Sequence, residues 1–139
     1  QRQMCIRDRL ETIPSYFSLQ ENVKFGNLLT SDEMKLLRKE TYAEIIEWYK
    51  ETEKVKSKLV KKQFITLTYP QITSDLENSI SLFYKFIGKK MTKKFQKQVS
   101  DYSAKKYTKK HQNKSIEDYG FTKKQILSDF DFVYQKYFV

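Results

Sequence analysis

Cysteine, histidine, glycine, proline and arginine are all scarce in this chain of 139 residues, and each scarcity excludes something. One cysteine, Cys5, rules out a disulfide framework within the chain and any cysteine-based metal site. One histidine, His111, rules out a multi-histidine metal centre and a paired-histidine acid–base device. No metal ligand is therefore assigned. Three glycines and two prolines argue against a β-sandwich or a glycine-rich linker and for long helices. No run of about 18 apolar residues is present to span a membrane, and no signal peptide is legible.

What is abundant is aromatic residues and lysine. Ten Tyr and ten Phe supply much of the 39% apolar content, enough for a real core in one domain. The net charge is +10 and it is concentrated. Lys85 to Lys114 holds eleven lysines against one acid, Asp101, while the rest of the chain balances sixteen basic against sixteen acidic residues. A local excess of this size points either to an anionic partner or to a solvated helix face.

The opening "QRQMCIRDR" fits no element and is similar to a translated sequencing-adapter fragment, so residues 1–9 are expected to be an artefactual leader. Genuine sequence then begins at Leu10 or at Arg7. After Pro14, Ser15 is expected to cap a helix. "TSDE" (30–33) pairs Thr30 with Glu33 as a capping box. It opens a long helix with Met34, Leu37, Thr41, Ile45, Trp48, Val55 and Leu59 inward. "QFITLTY" (63–69) is the one clear strand, stopped by Pro70. Its apolar residues fall on both faces, so it needs neighbouring strands, which are expected outside this chain.

"SDLE" (74–77) reads as a second capping box, before a stripe of Leu76, Ile80, Phe83 and Ile87 closed by Gly88. A lysine-rich helix over roughly 92–110 follows, with Phe95, Val99 and Tyr102 as its apolar face. "TKKQ" (122–125) caps a last helix with Ile126, Phe130, Val133, Tyr134 and Tyr137 inward.

Three segments in order resemble the C-terminal half of the sulfotransferases that use 3′-phosphoadenosine 5′-phosphosulfate (PAPS). "RDRLETIPS" is similar to a 3′-phosphate motif of Arg, Asn or Asp, Pro, and a Ser eight residues after the Arg. Arg7, Asp8 and Ser15 match; Arg9 stands in place of the Pro. "FITLTYPQITSDLENSISLFYKFIG" resembles a strand, the turn "YEDL" and a helix ending "iydFlG". Tyr69 matches, while Pro70 and Gln71 replace Glu and Asp. "KKHQNKSIEDYGFTKKQI" resembles a basic cluster followed by "YSLEDFGL", with Ser115 to Phe121 in register.

The resemblance implies an α/β chain, the C-terminal part of a P-loop-like three-layer sulfotransferase fold, mostly helical with one strand near 63–69. Residues 10–139 would be the later portion of a single domain, with the Gly-rich phosphosulfate loop and the catalytic base upstream. It implies PAPS as co-substrate, no metal, and transfer of a sulfuryl group to an acceptor hydroxyl or amine.

It also implies cofactor-binding roles for Arg7 and Ser15 at the 3′-phosphate and for Tyr69 near the adenine. Lys109 and Lys110, in the basic stretch before the third segment, would lie over the 3′-phosphate side. The chemistry agrees. A hydroxyl, a helix N-terminus and a guanidinium fork are the donors that a phosphate needs, and ligands of open α/β sheets sit at the carboxyl ends of strands. No catalytic residue is assigned within this chain, and the 139 residues alone are expected to be inactive. The acceptor is a glycan, lipid, protein or small molecule. The compartment is cytoplasmic or, given an upstream anchor, the Golgi lumen.

Two readings compete. One is a small basic helical domain that binds nucleic acid through residues 85–114. Four arginines, three of them before Leu10, leave little for base readout, so only nonspecific phosphate contacts are expected of it. The other is a helical interaction module with no ligand.

Overall fold

A computed structural model describes residues 2–25, 28–60, 63–105 and 114–138. In chain order the elements are β1 (Arg2–Ile6), α1 (Arg9–Leu19), a π-helical turn (Gln20–Phe25) and α2 (Ser31–Ser57). Then come β2 (Phe64–Thr68), α3 (Tyr69–Ser74), α4 (Leu76–Phe86), α5 (Lys93–Ser103), a 3₁₀ turn (Glu117–Tyr119), α6 (Lys123–Asp129) and α7 (Asp131–Tyr137). They form two compact units. The first comprises residues 1–7 and 56–110, the second residues 8–55 and 111–139.

The first unit is built on a parallel strand pair. β1 aligns with β2 from Arg2 opposite Phe64 to Ile6 opposite Thr68. This corrects two expectations. The opening residues do form an element, and β2 has a neighbour inside the chain. The reason is that only Ile6 of this segment is a strong strand former, so the strand is defined by its pairing with the distant β2 rather than by a local pattern. Ile6 and Leu67 are buried, as strands of a parallel pair usually are.

Helix starts in this unit follow side-chain capping. Thr68 accepts from the Gln71 N–H at 3.3 Å, and the Gln71 side chain accepts from the Thr68 N–H at 2.9 Å. This reciprocal box turns the chain from β2 into α3, with Pro70 in its first turn. The next cap is Asp75, which accepts from the Asn78 N–H at 3.0 Å. It lies one residue later than the Ser74 box expected, because Ser74 is still the last residue of α3. α4 ends as expected: Gly88 has φ +68°, and the N–H groups of Gly88 and Lys89 bond back to Lys85 and Tyr84. That is a Schellman closure, which favours glycine at the left-handed position. Thr92 caps α5, and the helix ends at Ser103.

The second unit packs α1, α2, α6, α7 and the 3₁₀ turn around an aromatic core. Phe17 lies 5.3 Å from Tyr119 and 5.5 Å from Phe121, between ring centroids. Phe121 lies 4.6 Å from Tyr42, and Phe130 is edge-on to both Tyr42 and Tyr49. Ile13, Ile126 and Val133 fill the remainder and are fully buried. The "SIEDYGF" segment is thus a core-forming turn. Ile116, Tyr119 and Phe121 are buried, and Gly120 supplies a φ of +84° that L-residues disfavour.

α2 opens on the expected box: Glu33 accepts from the Thr30 N–H at 2.7 Å, and Thr30 accepts from the Glu33 N–H at 3.3 Å. Its inward face differs from the expected stripe. Met34, Thr41, Tyr42 and Tyr49 are buried, whereas Trp48 and Val55 are exposed. The two tyrosines win the buried positions because their hydroxyls find partners there: Tyr42 donates to Asp129 at 2.8 Å, and Tyr49 accepts from Arg9. The expected last helix is two, α6 and α7, divided at Phe130.

Candidate functional site

Parallel register decides which residues meet at the carboxyl end of the strand pair. Ile6 and Thr68 are the last paired residues, so the next residue on each strand, Arg7 and Tyr69, emerges at the same edge. The Arg7 guanidinium lies over the Tyr69 ring, 4.3 Å from its centroid. Such a contact stabilises by about 0.5–1 kcal/mol at a partly exposed site. It also holds a long side chain in one place. Two residues singled out separately in the sequence are therefore neighbours in one unit. A guanidinium offers a planar fork of donors to an oxyanion, and a half-buried tyrosine beside it offers an aromatic edge or a hydroxyl to a base.

Ser15 lies in the second unit and does not cap a helix. α1 begins at Arg9, with Asp8 as its cap; the Asp8 carboxylate accepts from the Leu10 N–H at 2.9 Å. Ser15 is exposed on the body of α1. The signal missed was "DRLE", an Asp with Glu three residues on, which is a helix start in its own right. Pro14 then sits inside the helix, where it forfeits one hydrogen bond but has a helical φ. Arg9 occupies the first helical position, where proline is readily accommodated because that N–H has no intrahelical partner. Lys109, Lys110 and His111 lie outside the described residues.

Asp8 is further engaged by Tyr134, whose hydroxyl donates to it at 2.5 Å. Burial, then that hydrogen bond, raises the Tyr134 phenol well above its ordinary range. Tyr42 is raised in the same way, by burial and by its bond to Asp129. The start of α1 is therefore sealed by side chains of its own unit.

Lys89, Lys90, Lys93, Lys94 and Lys97 are exposed at or just before α5, as a solvated face would be. A cavity of about 650 Å³ in the second unit was not anticipated. It is lined by Lys35, Arg38 and Lys39 of α2, by Tyr42, and by residues of the 117–121 turn. Beside it Arg38 is bonded to Glu21, and Lys114 reaches the same carboxylate at 3.4 Å. Among the described residues no cluster of His, Cys, Asp and Glu could hold a metal ion, and no helix is long and apolar enough to cross a membrane.

The model of a family described as "Sulfotransferase domain" matches residues 4–138. No curated protein and no solved structure matches significantly.

Proposed function

The chain belongs to the sulfotransferase domain family, and from that premise we propose that its strand-end edge binds the 3′-phosphoadenosine end of PAPS. The observation that carries this reading is the Arg7–Tyr69 contact at the carboxyl end of two parallel strands. A 3′-phosphate distinguishes this nucleotide from other adenine nucleotides, and its oxyanion suits the guanidinium fork of Arg7. The stacked ring limits where that fork can point, which lowers the ordering cost of binding. Tyr69 serves the adenine from the same edge. The resemblance, rather than the geometry of this edge, is what adds Ser15, Lys109 and Lys110 to the proposal as phosphate-binding residues.

When bound, PAPS supplies the sulfuryl group, which passes to an acceptor hydroxyl or amine. This chain's own residues bind and orient the nucleotide; none is assigned to take the acceptor proton. The P-loop-like architecture and the phosphosulfate loop belong to the same proposal. The 139-residue chain by itself is expected to turn over no PAPS. Sulfuryl transfer by the purified chain would overturn that expectation.

The binding reading is tested with adenosine 3′,5′-bisphosphate against adenosine 5′-monophosphate, titrated into the chain at several salt concentrations. Tighter binding of the bisphosphate supports it. Equal binding of the two, or preference for duplex DNA with a steep salt dependence, would replace it with the nucleic-acid reading.

A further inference from the structure

The second unit holds polar groups that neither the fold nor the nucleotide uses. Tyr119 is 4% exposed, and its hydroxyl has no hydrogen-bond partner among the described residues. Arg38 bonds to Glu21 through its terminal nitrogen, yet its Nε is buried and likewise unpartnered. The two side chains are adjacent, with the guanidinium 5.3 Å from the centre of the Tyr119 ring. Both line the same cavity of about 650 Å³. That volume far exceeds the share of one water molecule, about 30 Å³, and falls in the range of small-ligand pockets.

An unpaired buried hydroxyl is a liability to the fold. A chain shaped for stability alone would carry phenylalanine at this position, as the "YSLEDFGL" pattern does. The side chains that line the cavity have the chemistry of an oxyanion receptor. Arg38 Nε can only donate, and the tyrosine hydroxyl can donate. Lys35 and Lys39 flank Arg38 on the cavity side of α2, at the one-turn spacing that shares a helix face. Of the two lining acids, Asp118 is occupied by the Ser115 N–H at 2.8 Å, which leaves Glu117.

We propose that this cavity binds a small molecule carrying an oxyanion group, a carboxylate or a sulfate. Lys35, Lys39 and Arg38 receive the charge and Tyr119 donates to it. Glu117 is left to accept from a hydroxyl or amine on the body of the ligand. Because the Tyr119 hydroxyl and Arg38 Nε are shielded from water, binding includes a turn of the Arg38 side chain towards the ligand. The site lies wholly within the second unit and does not rest on the nucleotide reading.

The test is an amide-resolved NMR titration of the full 139-residue chain with sodium sulfate and, separately, sodium acetate, at constant ionic strength. The expected result is saturable shifts confined to residues 35–42 and 117–121 with at least one anion. The anion that saturates identifies the tetrahedral or the planar group. Tyr119→Phe is expected to weaken that binding about tenfold while melting at or above the wild-type temperature. Lys39→Gln, an exposed change, is expected to weaken it without altering the melt. Shifts spread over all the lysines, no saturation with either anion, or unchanged binding in Tyr119→Phe would each overturn the proposal. An Arg7→Lys chain is expected to bind the anion as the wild type does, which separates this site from the nucleotide edge.

Discussion

The Arg7 guanidinium rests on the ring of Tyr69, 4.3 Å from its centroid, one residue beyond the paired ends of β1 and β2. Arg7→Lys keeps the charge but loses the planar fork and most of the stacking. We expect it to weaken binding of adenosine 3′,5′-bisphosphate by about tenfold or more, and to leave adenosine 5′-monophosphate nearly unaffected. Tyr69→Leu should weaken both nucleotides. Calorimetric titration of the four combinations reads this directly; equal losses for both nucleotides in Arg7→Lys would remove Arg7 from the phosphate.

The bond from Tyr134 to Asp8 joins the last helix to the start of α1. Asp8→Ala removes both a cap and a hydrogen bond, and should cost about 1–2 kcal/mol in denaturant unfolding. Tyr134→Phe should cost less, because Asp8 keeps its capping role.

The raised phenols of Tyr42 and Tyr134 give a sign for alkaline pH. The folded chain holds these protons more tightly than the unfolded chain does. Their contribution is full below about pH 10, the unfolded tyrosine value, and is lost as pH rises towards the higher folded values. Thermal melts between neutral pH and pH 11 should fall more steeply for the wild type than for Tyr42→Phe/Tyr134→Phe. Parallel curves would show that neither phenol titrates differently on folding.

Glu33 has the opposite sign. Its bonds to the Thr30 side chain and backbone lower its carboxyl below the ordinary value. The contribution is present above the unfolded value of about 4.3 and disappears as pH falls through the lower folded one. Glu33→Gln should therefore melt slightly below the wild type at neutral pH and match it in acid, as followed by circular dichroism.

Gly120 has φ +84° and open space where a Cβ would go. Gly120→Ala meets no clash, so its whole penalty is the left-handed backbone, about 1–2 kcal/mol. Gly120→Asn should cost less, since asparagine tolerates that region. A neutral Gly120→Ala would mean the turn readily changes its path.

The starts of α2 and α6 were legible because they are written in single side chains: Thr30–Glu33 and Thr122 cap where the sequence places them, and Gly88 closes α4. β1 was not legible, since a five-residue strand is recognised by its partner and that partner lies far along the chain. Ser15 misled because Pro14 is a local stop signal that an already established helix passes through. Arg7 and Tyr69 were each visible by resemblance, but their contact depends on strand register, which no local pattern encodes. The Tyr119 cavity was hidden for a related reason. "SIEDYGF" shows a turn, while only packing shows which of its polar atoms lack a partner.

The parallel pairing of Arg2 with Phe64 also sets an order of events during synthesis. At roughly 5–20 residues per second, β1 leaves the ribosome several seconds before β2 is available to pair with it. Through that interval its backbone groups are open to wrong partners, so the nascent chain is a natural client for chaperones that shield strand edges. The edge carrying Arg7 and Tyr69 cannot exist until β2 arrives, so that site waits on sequence made about 60 residues after Arg7.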